Sequence, residues 1–420
     1  MALANVFAAL QVLSRMNRRI DSVKQSRTAV YTHMKKHNAW TIALVGAGLV
    51  SLPAMALAEE TAHPITTVLS STTISGYVDT TAQWNLGTGN ELTPTYAFSQ
   101  GKADGFNLNV VKLVLEKPVD AAEAWGAGYK VDLWAGPDAN LLGTQSALSS
   151  GGTSDFAVKQ AYVALRAPLG NGLDFKVGSF DTIVGYEVTD GPYNPNYTRS
   201  YGYTIEPVAH TGVLASYQFC DVFGASVGVA NTFGPMINER AFPDKAESYK
   251  TYMASMTFTA PEDWGFLAGS TLSGGVVNGF SGGEGAVKTH WYAGATLNTP
   301  VTGLKVGAAY DYAGISEQEL GGSNIDSSYA NATAIYASYA LTEKLTLFGR
   351  GEYASSGTSV FGAGEVFATT ATLQYDLWAN VLSRLEFRWD HSADGSEPYG
   401  ETGSTDKNNY ILLANIAYKF

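Results

Sequence analysis

Charge is what this 420-residue chain has little of: 15% of its residues are charged, where a soluble domain carries about 25%. The deficit is matched by 45 glycines, 24 tyrosines, 18 phenylalanines and 8 tryptophans, with a mean hydropathy of −0.04. That balance suits a surface half turned to lipid and half to water. There is one cysteine, Cys220, which excludes an intramolecular disulfide framework and fits poorly with a thiolate metal site. Past residue 58 no stretch is long and apolar enough for a spanning helix of about 20 residues. The histidines beyond that point are His63, His210, His290 and His391, with no HExxH pair to hold a catalytic zinc and no GxxxxGK[ST] loop to cradle phosphates. No basic patch is present for nucleic acid. No cofactor is implied; a triad assembled at the rim of a barrel is the enzyme class left open.

The N-terminus carries an export pattern. From Met34 it reads MKKHNAWTIALVGAGLVSLPAMALAEE. Lys35 and Lys36 make a basic start, residues 41–55 an apolar stretch, and Ala56-Leu57-Ala58 a small-residue cleavage site before Glu59. Pro53 interrupts the end of the apolar stretch. Residues 1–33 are polar and unpatterned, so Met34 is the expected initiator, 1–58 the removed part, and 59–71 a short periplasmic segment. Without 1–58, which hold seven Lys/Arg against Asp21 alone, 19 basic and 37 acidic residues remain, a charge of −18.

From about residue 72 the apolar pattern has period two. In 381–392, Leu385, Phe387 and Trp389 oppose Arg384, Glu386, Arg388 and Asp390; in 364–378, Phe367, Ala371, Leu373 and Tyr375 oppose Thr370, Thr372, Gln374 and Asp376. About sixteen strands are expected, near 72–86, 105–117, 125–137, 154–168, 172–181, 207–219, 222–234, 249–260, 264–280, 286–299, 303–315, 327–341, 343–356, 364–378, 381–392 and 407–420. Tight turns at 168–172, 220–221, 261–263, 300–303, 342–343 and 379–380 alternate with long Gly/Ser/Asp-rich links at 87–104, 138–153, 182–206, 235–248, 316–326, 357–363 and 393–406. Short turns at one end and long loops at the other is the arrangement of a transmembrane barrel, and a spanning strand needs about 9–11 residues.

Physics narrows the fold further. In hydrocarbon no backbone N–H or C=O can remain unpaired, so a spanning sheet must close on itself. At about 16 strands the interior is too wide for side chains alone to fill. The expected fold is therefore all-β: a transmembrane, antiparallel, up-and-down barrel over 72–420, in the bacterial outer membrane and bathed by its lipid and lipopolysaccharide. Trp125, Trp264 and Trp378 fall at turn ends, and Trp84 and Trp134 towards the loops, where rings anchor at the interfaces. Ile411, Leu413 and Phe348 fall on faces that should be wet, and break the pattern. The last strand ends NYILLANIAYKF; an alternating strand closing on Phe420 resembles the signal read by the outer-membrane assembly machinery.

The segment after the fifth strand carries a more specific likeness. Phe180-Asp181-Thr182, Gly185-Tyr186-Glu187, Asn194, Asn196, Arg199-Ser200, Pro207 and His210-Thr211-Gly212 resemble the OmpL-like β-barrel porin family of Gram-negative bacteria. The resemblance extends over roughly 70–420 and implies a porin. It brings no catalytic motif, no defined ligand and no solute selectivity.

By analogy with sixteen-stranded porins, whose third outer loop folds inward, 182–206 is expected to narrow the barrel, with Glu187, Asp190, Arg199 and Glu206 as constriction residues. Opposed charges across a neck would orient dipolar solutes and filter ions. Lys288, His290, Lys305, Asp311, Arg350, Glu352, Arg384, Glu386, Arg388 and Asp390 are expected on the pore wall, because Arg or Lys facing lipid at mid-depth costs about 2–4 kcal/mol. The −18 charge favours cations weakly if acids line the pore. Asp394, Glu397, Glu401 and Asp406 in the last loop would instead bind divalent cations with lipopolysaccharide or hydrate the surface. The expected function is passive diffusion of small hydrophilic solutes; the alternative from the binding class is a barrel whose outer loops act as adhesin or receptor. Porins of this size often form homotrimers, and nothing in the sequence argues for or against a subunit interface.

Overall fold

A strand that alternates apolar and polar residues can present one face to lipid and one to water, provided every backbone group finds a partner in the sheet. The computed structural model meets that condition. It describes residues 65–66, 71–87, 93–99, 101–120, 122, 124–146, 154–241, 248–281, 286–320, 323–401 and 405–420. The export signal and the Met34 start lie outside the described residues. Sixteen strands make the wall: β1 (Thr73–Asn85), β2 (Gly105–Lys117), β3 (Gly126–Ala135), β4 (Phe156–Ala167), β5 (Leu173–Asp181), β6 (Ala209–Cys220), β7 (Phe223–Ala230), β8 (Thr251–Thr259), β9 (Thr271–Phe280), β10 (Val287–Asn298), β11 (Leu304–Ile315), β12 (Ser328–Ala340), β13 (Leu345–Ser356), β14 (Glu365–Trp378), β15 (Val381–Ser392) and β16 (Asn408–Lys419). Each pairs antiparallel with its neighbour in the chain. The sheet closes where β16 pairs with β1, from Lys419 opposite Tyr77 to Ile411 opposite Asn85. The seam continues to the last residue: Phe420 N donates to Gly76 O (3.0 Å) and Gly76 N to Phe420 O (2.9 Å). Ahead of β1, Ile65–Thr66 pairs with its first residues.

The two faces separate as the sequence pattern requires. On β15, Arg384, Glu386, Arg388 and Asp390 are buried inside, while Leu385 and Phe387 are exposed on the outer surface. Outward-facing apolar side chains of this kind are stable only against hydrocarbon. Among the described residues no helix is long and apolar enough to cross a membrane; the crossing is made by strands.

Three details differ from the sequence reading. The strand expected over 264–280 begins at Thr271, because Pro261 leads into a 3-10 segment, Glu262–Leu267, broken at Gly265, whose φ of +60° ends the regular backbone. The strand expected over 222–234 ends at Ala230; beyond it Phe233 N donates across to Phe280 O (2.7 Å). The third concerns Trp134. Trp125, Trp264, Trp378 and Trp84 are exposed outside, but Trp134 is 1% exposed and points inward against Tyr77 and Phe98. It shares its face of β3 with Lys130 and Asp132, so it is a core residue and not an interface anchor.

Candidate functional site

The link between β5 and β6, residues 182–208 and here called L3, is built to hold a fixed shape. Asn194 clips its first half, accepting from Val188 N (2.8 Å) and donating to Val188 O (2.6 Å). A short helix follows, α2 (Tyr201–Ile205; α1 is Asp138–Leu141 in the preceding loop), whose cap Ser200 Oγ accepts from Tyr203 N (3.0 Å). Gly185 adopts φ +117°, and a Cβ there would lie 2.1 Å from a Glu206 carboxyl oxygen, so any side chain would strain the backbone and displace Glu206.

L3 lies across the inside of the barrel, fastened by opposite chemistry on two sides. Its apolar start, Ile183, Val184 and Tyr186, packs on inward side chains of β5 to β12, among them Leu214, Met253, Val277 and Tyr336. Tyr186 stacks on Tyr336 with ring centroids 4.1 Å apart, and its hydroxyl accepts from Thr296 Oγ1 (3.1 Å). Gly307 on β11 leaves the room: a Cβ there would sit 1.9 Å from the Tyr186 hydroxyl.

The polar part of L3 is held by β13, β14 and β15. Arg350 Nη1 binds Glu187 Oε1 (2.7 Å) and Thr198 O (2.7 Å), while its Nε binds Glu352 Oε2 (2.7 Å). Arg384 donates to Gly191 O (3.0 Å) and Asn194 O (2.6 Å), and Arg388 to Arg199 O (2.7 Å). Glu386 accepts from Tyr197 N (2.5 Å) and Thr198 N (3.0 Å), Glu352 from Tyr201 N (2.7 Å), and Asp390 from the Tyr201 hydroxyl (2.9 Å). These wall residues, expected to line open water, are buried against the backbone of L3. A buried peptide group needs a partner, and here the charged wall supplies it.

The four expected constriction residues all lie in this buried segment, each with its own partners; no two form an ion pair with each other. Glu187 pairs with Arg350 and also accepts from Ser200 N (2.8 Å). Asp190 meets Lys112, Lys159 (3.3 Å) and the Tyr77 hydroxyl (3.0 Å). Burial alone would raise its carboxyl, but the two lysines outweigh burial and hold it below the usual range. Arg199 binds Tyr197 O (2.5 Å) and Thr189 O (2.6 Å), and its guanidinium lies 5.2 Å from the Phe98 ring centre. Glu206 faces Asp311 of β11. Burial first, then Asp311 and Glu187, push it well above the usual carboxyl range, so it is the protonated partner of the pair. His290 Nε2 stands 3.4 Å from Asp311 on the other side. A cavity of about 20 Å³ beside Glu187, Tyr203 and Glu206 has room for about one water.

Sequence reasoning missed the basic residues of β2 and β4. Lys112 and Lys159 share Asp132 and Asp190. It also missed Lys102, which binds Asp138 (2.6 Å), Phe98 O (2.6 Å) and the Tyr197 hydroxyl (2.9 Å), tying the Phe98 and Lys102 segment to L3. Beneath lie Tyr96, Tyr197, Ile411 and Leu413 in one apolar cluster. That cluster accounts for two of the three side chains that broke the wet-face pattern. Lys288 and Lys305 are half-buried on the wall. Asp394 in the last loop is engaged by Ser392 Oγ (2.8 Å), Ser396 Oγ (2.6 Å) and Gly364 N (2.7 Å). Residues 224–228 spell GxSxG, but Ser226 sits mid-strand in β7, 2.8 Å from Ser216 Oγ, with no strand-to-helix elbow to expose a nucleophile. Among the described residues no group of His, Cys, Asp or Glu could hold a metal ion.

The barrel is similar to solved porins. An anion-selective porin from Comamonas acidovorans matches over 83% of this chain and 99% of its own, at 11% identity and a TM-score of 0.56. The trimer form of OmpT, an outer membrane protein of Vibrio cholerae, matches over 83% and 99%, at 14% identity and 0.52. Salmonella typhi OmpF in complex with daunomycin matches over 84% and 98%, at 13% identity and 0.52. At such identities the likeness is one of fold. No curated protein sequence matches the chain. Residues 71–420 match the sequence family described as "Putative beta-barrel porin-2, OmpL-like", and the chain belongs to that family.

Proposed function

We propose that this protein is a non-enzymatic outer-membrane channel through which small hydrophilic solutes diffuse passively, with L3 as its narrow part. One observation carries the reading: a loop seated across the inside of a closed sixteen-stranded barrel, and held by charged wall residues on several strands. Glu187, Asp190, Arg199 and Glu206 then set the constriction by holding L3 in place, rather than by a field between opposed free charges. The bacterial outer membrane follows from family and fold. Cleavage after Ala58, assembly directed by the strand ending at Phe420, contact with lipopolysaccharide and a homotrimeric state complete the proposal; the Vibrio cholerae OmpT structure, described as a trimer, makes the last worth testing by cross-linking.

The cation preference read from net charge does not follow from where the charges lie. Asp120, Asp221, Glu262, Asp263, Glu343, Glu397 and Glu401 are exposed on turns and outer loops, away from the lumen. Planar-bilayer recording of the purified protein tests the function: steady ohmic steps are expected. A folded barrel that never conducts would refute the channel and favour a surface receptor.

A further inference from the structure

We infer that the inner face of β3–β5 is an anion station, at Lys130, Tyr162 and Lys176, that makes the channel favour small anions over cations; the inference rests on the channel reading above. L3 covers the inward residues of β9–β15 at its level, and most of those are buried. On β3–β5 the inward residues Lys130, Tyr162, Ala164, Lys176 and Gly178 keep partial contact with solvent. A solute moving past L3 therefore meets this wall.

Strand register brings the three side chains together. Lys130 stands opposite Tyr162, Tyr162 opposite Gly178, and Ala164 opposite Lys176. The two lysines are thus two strands apart, a lateral separation of about 10 Å, with a floor of small residues between them. Their long side chains can converge on an anion placed there. Lys176 lies 5.1 Å from the Tyr162 ring centre and, among the described residues, has no carboxylate within ion-pair distance. Among the described residues Lys130 pairs with Glu116 alone, at 3.5 Å, with both side chains partly exposed; such a solvated pair is weak. The other cations nearby are engaged: Lys159 by Asp181 (2.5 Å) and Asp190, Arg166 by both carboxylate oxygens of Asp174 (2.8 and 2.7 Å). Positive charge is left over where solvent reaches, and is compensated where it does not. Further along the same wall, Ser216 of β6 and Ser255 and Thr257 of β8 add hydroxyls without charge. Lys130, Lys176 and the Tyr162 phenol together present the donors that chloride or a small oxyanion needs.

Reversal potentials of the intact protein in a KCl gradient test this. The wild type should prefer chloride, and Lys130→Gln/Lys176→Gln should lower the chloride-to-potassium permeability ratio about two- to fivefold. Lys176→Arg, which keeps the charge, should retain the wild-type preference. Added inorganic phosphate should reduce chloride current through the wild type more than through the double variant. Cation preference in the wild type, which needs no variant to fold, overturns the inference; so does an unchanged ratio in a double variant that still conducts. In both cases the channel itself stands. Absence of any conductance overturns the channel reading and this inference with it.

Discussion

Glu206 gives the sharpest test of how L3 is held. Its carboxyl is buried where the loop rejoins the wall, facing Asp311 with His290 behind it, and with Glu187, Tyr203 and Tyr292 as the other titratable groups around it. A free carboxyl titrates near its ordinary value of 4.5, whereas Glu206 in the seated loop titrates well above that. Between the two values the seated state holds one proton more than a released one. Seating is therefore at full strength below pH 4.5 and weakens as pH rises, by about 1.4 kcal/mol for each unit, until Glu206 itself ionises. One unit is then worth about tenfold in the ratio of seated to released loop. Glu206→Gln stays neutral at every pH, keeps a donor for Asp311 and removes this slope. Single-channel recordings from pH 5 to 9 are the assay. Wild-type current noise from loop movement should grow with pH, and the variant should be quiet and flat. A variant with the wild-type slope would place the titrating group elsewhere and refute the reasoning.

Other residues give independent tests. Arg350→Met leaves Glu187 buried without its cation and Glu352 with Arg388 alone, at 3.7 Å; about 3–5 kcal/mol of destabilisation is expected, read from the melting temperature in detergent. Gly307→Ala puts a methyl 1.9 Å from the Tyr186 hydroxyl, so the Tyr186–Tyr336 stack should break and the conductance step change while the barrel still folds, as checked by heat-shifted migration. Leu385→Arg places a charge on the lipid face in the middle of β15; folding into vesicles should weaken by about 2–4 kcal/mol, whereas Leu385→Phe should have little effect.

The strands were legible because closure and lipid both act on the period-two pattern. Where the pattern is clean the boundaries agree to the residue, as in β15 (Val381–Ser392). It fails where a bulge inserts one residue. In β2, Asp79 and Thr80 of β1 pair with Val110 and Leu108, leaving Asn109 extra; in β4, Asp132 and Leu133 of β3 pair with Gln160 and Val158, leaving Lys159 extra. A strict alternation drawn through either strand puts half of it on the wrong face. Those are the strands that carry Lys112 and Lys159, the counter-charges of Asp190 that sequence reasoning missed. Loop length and the charges within 182–206 singled out Glu187, Asp190, Arg199 and Glu206 together, but their partners could not be read. Arg350 and Glu187 are 163 residues apart, and nothing local in either segment refers to the other. The same limit applies to the inner wall. Alternation says which side chains point inward but not what they meet there: Ile411 and Leu413 point at Tyr96 and Tyr197, Arg384 at the carbonyls of L3, and Lys176 at solvent and an aromatic face. An inward position in a barrel crossed by a loop is therefore a question about that loop. Net charge of the whole chain cannot stand in for pore charge, because the outer loops and turns hold many of its acids while L3 decides which wall charges a solute can feel.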